Sequence, residues 1–143
     1  MDSSEFHPGE YLTFRLAGQE FALDATRVKG IVPLHDMEAT EPQPDGPQWL
    51  MGRAAVRGQP FEVLDLAGSL GLARKAQGRN PYIIVVDGSE AGGIRGFPVD
   101  RVCDVVLARA RDYSHGKLRI GRPRRVLDAD HLFSEPVLAD ATP

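Results

Sequence analysis

Apolar side chains recur at every second position over much of this chain. Leu12, Phe14 and Leu16 alternate with polar residues, a spacing that turns one side of a β-strand towards a core. A glycine-containing turn and a second apolar run at 21–23 follow directly. The two runs are therefore predicted to form a β-hairpin.

Short strands separated by glycine and proline turns continue to the end of the chain. Further strands are predicted at 31–32, 49–56, 60–64, 82–86, 94–99, 102–107 and 124–127. Asp24, Asp65 and Asp128 each follow a strand and are suited to cap a short helix. The proline-rich, acidic segment 33–47 is predicted to be an extended surface loop. This organisation favours small β-barrels over an α/β sheet.

One sequence pattern occurs twice. Gly-x-Pro-x-x-Val-Leu-Asp is found at 58–65 and again at 121–128, and each copy has a related upstream segment, Phe-Ala-Leu-Asp at 21–24 and Phe-Pro-Val-Asp at 97–100. Each half alone would bury too little surface to be stable, so we expect the halves to share a core. A duplicated β unit of this kind forms a groove suited to binding other proteins.

The 143 residues are consistent with one domain that has two internal parts. We expect a disordered tail at 1–8, a domain at 9–135 and a C-terminal tail at 136–143. Within the domain, the barrels are expected at about 10–72 and 81–134, joined by the polar segment 74–80.

The charge balance excludes a strong general attraction to polyanions. There are 17 basic and 20 acidic residues, so neither nucleic acid nor an anionic membrane attracts the whole protein. The stretch 109–125 is an exception, with seven basic side chains against the single acid Asp112. A small barrel that binds nucleic acid through this stretch is one hypothesis, although Tyr113 is its only aromatic side chain for base stacking. Binding to an acidic protein partner is the favoured explanation of the stretch.

The sequence contains no recognisable catalytic or metal-binding pattern. Cys103 lies in a predicted strand among valines, where a lone cysteine is usually a small buried residue. An enzyme that uses Cys103 as a nucleophile is a further hypothesis. The four histidines are isolated, and the glycines at 88–96 match no phosphate-binding motif. We therefore expect no cofactor, no metal and no enzymatic activity.

The composition also indicates a compartment. A single cysteine cannot form an internal disulfide, which suits a reducing environment. No apolar run reaches the length of a membrane span, and the first residues do not resemble a signal peptide. A cytoplasmic protein without membrane insertion is expected.

The order of these motifs resembles the CheW-like chemotaxis adaptors over about residues 9–135. The most specific part is Gly-x-x-Val-Asp-x-Val-x-Asp-Val at 96–105. The other segments that carry the resemblance are 11–16, 21–24, 28–31, 52–58, 63–66, 126–128 and 132–133.

The resemblance implies an all-β fold of two intertwined, five-stranded SH3-like β-barrels with short helices and no enzymatic activity. It implies an adaptor that couples chemoreceptor cytoplasmic tips to the regulatory domain of a CheA-type histidine kinase, in the cytoplasm at membrane-associated receptor arrays. Other CheW-like domains are further candidate partners. The family's receptor-binding positions correspond here to Ala25, Val28, Gly30, Ile31 and Arg57. Gly52 corresponds to a position near the kinase-binding side.

This chain departs from the family pattern at several of those positions. Ala55-Val56-Arg57-Gly58 stands where Asn-Leu-Arg-Gly is usual, and Ala25 and Gly30 replace bulkier or acidic residues. Glu62 stands at a position where proline is common. These differences favour a specialised adaptor for a non-flagellar chemosensory system, or one with an altered choice of partner.

Overall fold

A computed structural model describes residues 6–41, 49–72, 81–87 and 93–132. Within them, twelve strands form two six-stranded sheets. The strands are β1 Gly9–Leu16, β2 Gln19–Asp24, β3 Val28–Pro33, β4 Glu38–Ala39, β5 Leu50–Val56, β6 Gln59–Leu64, β7 Tyr82–Asp87, β8 Ile94–Val99, β9 Arg101–Ala108, β10 Tyr113–Ser114, β11 Lys117–Arg119 and β12 Pro123–Leu127. The helices are α1 Leu66–Ser69 and the 3-10 turns Ala25–Arg27, Leu34–Asp36, Ala110–Asp112 and Ala129–His131.

The strand order repeats between the two sheets. Barrel 1 has the order β10-β11-β12-β2-β1-β9, and barrel 2 has the order β4-β5-β6-β8-β7-β3. Strand β1 corresponds to β7, β2 to β8, β3 to β9 and so on through β6 and β12. Replacing each strand by its counterpart converts one strand order into the other. The duplication seen in the sequence is therefore also a duplication of topology.

The two copies of the repeated pattern cross between the halves. The copy at 58–65 forms β6, which pairs in parallel with β8 of the second half. The copy at 121–128 forms β12, which pairs in parallel with β2 of the first half. Each barrel therefore takes strands from both halves, which confirms an all-β fold of two intertwined SH3-like barrels.

Three details differ from the sequence-based expectations. The barrels do not divide at 10–72 and 81–134, because the two parallel strand pairs bring strands from both halves of the chain into each barrel. Each sheet has six strands and not five, because β4 and β10 are two-residue strands too short to give an alternating pattern. Strand β4 and a 3-10 turn lie in the described part of the segment 33–47, which was expected to be an extended loop.

The core has three parts, of which the largest lies between the barrels. Phe14, Phe21 and Phe97 are fully buried there, with ring centroids 5.6 Å apart for the first two and 5.7 Å apart for the first and third. This shared core contains residues from β1, β2, β7, β8, α1 and the segment after β12. Smaller clusters fill barrel 1 around Tyr11 and barrel 2 around Phe61. Aromatic burial of this kind is a major source of stability.

Phe6 falls in the segment for which the sequence predicted a disordered tail, yet it is buried. Its ring stacks on Tyr113 and Tyr11, with centroids 4.5 Å and 5.4 Å away, and it belongs to the cluster inside barrel 1. The Tyr11 hydroxyl donates a hydrogen bond to the carbonyl oxygen of His7 over 2.8 Å, and burial raises the pKa of Tyr11 to about 12. The sequence did not predict the burial of Phe6, because its neighbours in the chain are polar. Residues 1–5, the seam at 74–80 and the C-terminal tail lie outside the described residues.

The predicted aspartate caps are present. The carboxylates of Asp24, Asp65 and Asp128 accept hydrogen bonds from the backbone N–H groups of Thr26, Gly68 and Asp130. The donor–acceptor distances are 2.9, 3.1 and 3.0 Å. Each cap starts a short helix at the end of a strand, so the chain leaves each sheet at a defined point.

The exchange of strands predicts that neither half folds by itself. Fragments 1–76 and 77–143 each lack strands of both sheets, so we expect little β structure and no cooperative unfolding from either one alone. When they are mixed, far-ultraviolet circular dichroism should recover the signal of the intact chain. Cooperative unfolding of an isolated fragment would contradict the prediction.

A buried hydroxyl predicts a second, local effect. Thr13 is fully buried, and its hydroxyl accepts a hydrogen bond from the N–H of Asp104 and donates one to its carbonyl, over 3.0 and 3.1 Å, at the bulge of β9. Thr13→Val keeps the shape but removes both bonds, and should lower the free energy of unfolding by about 1–3 kcal/mol in a denaturant titration. The control Thr26→Val removes a solvent-exposed hydroxyl and should cost under about 0.5 kcal/mol. Equal losses in the free energy of unfolding from the two variants would show that the buried hydroxyl of Thr13 contributes no more than an exposed one.

Candidate protein-binding surface

Arg57 lies at the tip of the hairpin formed by β5 and β6. Arg57 and Gly58 have φ angles of 52° and 80° between the paired residues Val56 and Gln59. Two successive positive φ angles are typical of a two-residue type I′ turn, and glycine in the second position makes this turn accessible. The side chain of Arg57 is exposed, as the sequence predicted for a hairpin tip.

Val28 and Ile31 lie on the same face of β3 because the strand contains a bulge. Val28 pairs with Val86 and Ile31 with Ile84, and the register shifts between Val28 and Gly30. Val86 and Ile84 both belong to the shared core, so this face of β3 borders that core. Ile31 remains 40% exposed, whereas Val28 is half-buried against the core. The apolar surface available to a partner is therefore supplied mainly by Ile31.

Gly30 brings β3 against the end of β5. A Cβ atom added at Gly30 would lie 2.7 Å from Cγ2 of Val56, the residue directly before Arg57. A larger side chain at this position would have to displace Val56. The close approach brings Gly30 and Ile31 to the side of the turn that carries Arg57.

Ala25 is half-buried in the 3-10 turn that leads into β3. The turn is fixed from the other half of the chain by its last residue, Arg27. The Nη2 atom of Arg27 is 2.6 Å from Oδ1 of Asp130 and also donates to the carbonyl oxygen of Asp87. The hydrogen bond to Asp130 raises the pKa of Arg27 above its usual value. We use the name β3–turn surface for Ala25, Val28, Gly30, Ile31 and Arg57.

Gly52 lies away from the β3–turn surface. It is buried near the start of β5, five residues before Arg57, so the two are separated by about 17 Å along the strand. A Cβ atom at Gly52 would lie 2.9 Å from Cγ of Met37 and would also meet the backbone of Glu38. The absence of a side chain lets β4 pair with β5, so any role of Gly52 in binding acts through the position of β4. Sequence reasoning missed Met37 and Glu38 because a two-residue strand leaves no pattern.

The chemistry of Cys103 does not suit a nucleophile. The thiol is half-buried, and burial together with the nearby Glu20 carboxylate raises its pKa. A nucleophilic cysteine needs a lowered pKa, since the thiolate is the reactive form. In the described part of the chain, no group of three or more His, Cys, Asp or Glu side chains could hold a metal ion.

The hypothesis of a nucleic-acid interface required Tyr113 to stack on bases, and its ring already stacks on another side chain. Tyr113 is the one aromatic side chain of the stretch 109–125, and its ring stacks on Phe6 in the cluster inside barrel 1. Base stacking requires an accessible ring face. Among the helices that the structure describes, none is long and apolar enough to cross a membrane.

Comparisons with known proteins agree with this architecture. The structure is similar to the crystal structure of the scaffolding protein TtCheW from Thermoanaerobacter tengcongensis, with a TM-score of 0.74 and 22% sequence identity. The match covers 91% of this chain and 95% of that chain. A comparison with curated protein sequences found no match.

The model of one protein family matches almost the whole chain. Residues 10–136 match the CheW-like domain, and this range contains both copies of the repeated pattern and every residue of the β3–turn surface. The chain therefore belongs to the CheW-like domain family.

Proposed function

We propose that this protein is a non-catalytic adaptor of chemotaxis-type signal transduction, which couples chemoreceptor tips to the regulatory domain of a CheA-type histidine kinase. The observation that carries the proposal is the β3–turn surface, where an exposed apolar residue and an exposed arginine lie on one side of a rigid double barrel. Membership of the CheW-like family supports the same function.

The β3–turn surface has the chemistry to receive a receptor helix. Ile31 offers an apolar contact for the apolar face of an amphipathic helix. Arg57 offers a guanidinium group that can bind a carboxylate with two parallel hydrogen bonds. Ala25 and Gly30 are small, which makes the surface flat, so Ile31 and Arg57 carry most of the expected contact.

The second partner, the kinase regulatory domain, is proposed to bind near Gly52. The β4 edge of barrel 2 lies there, with Glu38 and Ala39 exposed. An edge strand can pair with or pack against another β domain. Such a domain could be that of the kinase or of a second CheW-like protein. The two binding regions lie at opposite ends of β5, so one adaptor can hold both partners at once.

The proposed location follows from the partners. The protein works in the cytoplasm and reaches the membrane-associated receptor array by binding the receptor and the kinase. No chemical step is required of it, and the raised pKa of Cys103 supports a binding role over a catalytic one.

Charge reversal at the hairpin tip tests the receptor contact. Arg57→Glu should weaken binding to the receptor tip at least about tenfold, because a hot-spot contact contributes about 2 kcal/mol or more. Binding to the kinase regulatory domain should not change. Calorimetric titration of each partner measures both effects, and the free energy of unfolding should shift by less than about 0.5 kcal/mol.

The matched control is Arg101→Glu, which makes the same charge change at an exposed residue of barrel 1. It should leave receptor binding unchanged. Equal weakening of receptor binding by both variants would assign the effect to net charge. Unchanged receptor binding by Arg57→Glu would show that Arg57 does not contact the receptor. Failure of the folded protein to bind any cognate kinase domain would overturn the adaptor proposal.

Alkylation tests the role of Cys103. A raised pKa lowers the thiolate fraction at neutral pH, so the rate of reaction with iodoacetamide should be below that of free cysteine at pH 7 and should rise as the pH increases above about 8.5. Cys103→Ser should leave both partner affinities unchanged. Faster alkylation than that of free cysteine at neutral pH would revive the hypothesis of a catalytic thiol.

A further inference from the structure

Barrel 1 carries a concentrated positive surface that the proposed function does not use. Lys117, Arg119 and Arg125 are exposed on the outer face of β11 and β12, on either side of the inward-facing Leu118. Lys117 pairs directly with Arg125, and Arg119 pairs with Pro123. We use the name basic face for Lys117, Arg119 and Arg125.

The internal repeat provides a comparison for this face within the same chain. Strands β5 and β6 correspond to β11 and β12, and the repeated pattern aligns Glu62 with Arg125. In barrel 2, Glu62 pairs across the strands with Arg53, and their charged atoms are 3.7 Å apart. In barrel 1 the corresponding pair is Lys117 with Arg125. One repeat therefore has a neutral ion pair where the other has two positive charges.

A directly opposed pair of like charges opposes folding, since cross-strand Cβ atoms are only about 5 Å apart. Glu20, the acid beside the end of β12, already lies within 3.5, 3.2 and 3.7 Å of nitrogen atoms of Arg15, Arg122 and Arg124. Among the described residues, no carboxylate oxygen lies within 4.0 Å of a side-chain nitrogen of the basic face.

Two arginines of the basic face are held in position by neutral contacts. The Arg125 guanidinium carbon lies 6.0 Å from the centroid of the Phe21 ring. Nε of Arg119 donates to Oγ of Ser114 over 3.0 Å. Neither contact neutralises the charge, and both restrict the side chain before a partner arrives. Such preorganisation reduces the entropy that binding costs.

We propose that the basic face is a third docking surface and that its occupant is a carboxylate-rich segment of a partner protein. Guanidinium groups match carboxylates in shape and charge. The whole protein has a net charge of −3, so an extended polyanion such as a nucleic acid or an anionic membrane is repelled by the rest of the molecule. A short acidic segment contacts only the basic face, because charges beyond about 8 Å are screened at physiological salt. The stacked position of Tyr113 further disfavours nucleic acid.

The proposal is independent of the adaptor function. It predicts that Lys117→Glu changes stability and binding in opposite directions. This substitution replaces the opposed like charges with an ion pair of the kind found in barrel 2, and it leaves Arg125 over Phe21. The melting temperature should therefore rise, whereas affinity for a fluorescent glutamate-rich peptide should fall at least tenfold in an anisotropy titration at low salt. A residue with only a structural role would not gain stability and lose binding together.

A triple variant and a matched control complete the test. Lys117→Glu/Arg119→Glu/Arg125→Glu should abolish peptide binding, whereas Lys29→Glu/Arg53→Glu/Arg101→Glu makes an equal charge change elsewhere and should retain most of it. Circular dichroism verifies that each variant is folded. Equal loss from both triple variants, or no peptide binding by the wild-type protein at low salt, would overturn the proposal. Tighter binding to a single-stranded oligonucleotide or to phosphatidylglycerol vesicles, lost in the first triple variant, would assign the face to nucleic acid or membrane instead.

Discussion

The parallel pairing of β6 with β8 and of β12 with β2 is the constraint on which the rest of the structure depends. A simple duplication would give two barrels that fold separately and are joined by a linker. Here each repeated strand joins strands of the first half to strands of the second half within one barrel. The phenylalanines of β1, β2 and β8, whose rings contact one another, then lie in the interior of one molecule. Separation of the two halves would break both sheets and expose this core, so the barrels behave as one body.

Rigidity of this kind suits a protein that must hold two partners in a fixed relation. The 3-10 turn before β3 is bound by Arg27 to Asp130, which comes from the far end of the described chain. Gly30 allows β3 to contact Val56, and this contact sets the position of β3 beside the Arg57 turn. The proposed receptor surface is thus assembled from contacts that exist only when both halves are folded together.

Much of this architecture could be predicted from the sequence, and the failures have physical reasons. Alternation identified β1, an apolar run after a glycine-containing turn identified β2, and the Arg57-Gly58 pair identified a hairpin tip. The intertwining was implied by the family resemblance but could not be predicted from the repeat itself, because two copies of one pattern are equally able to pair within their own half or with the other. The position of Val28 and Ile31 on the same face of β3 depends on a bulge, which shifts the strand register without leaving a mark in composition. Phe6 was missed because a single aromatic residue in a polar segment has no periodicity.

Duplication also explains how the two barrels can differ in chemistry while they keep one topology. The shared core and the capping aspartates are retained in both halves, since each supports the interlocked fold. The outer faces of the two corresponding hairpins carry no such requirement. Barrel 2 keeps the ion pair of Arg53 with Glu62, whereas barrel 1 opposes Lys117 to Arg125 at some cost in stability. An arrangement of like charges that opposes folding, where the corresponding hairpin has an ion pair, is more readily explained by binding than by structure, and this supports the docking surface proposed for barrel 1.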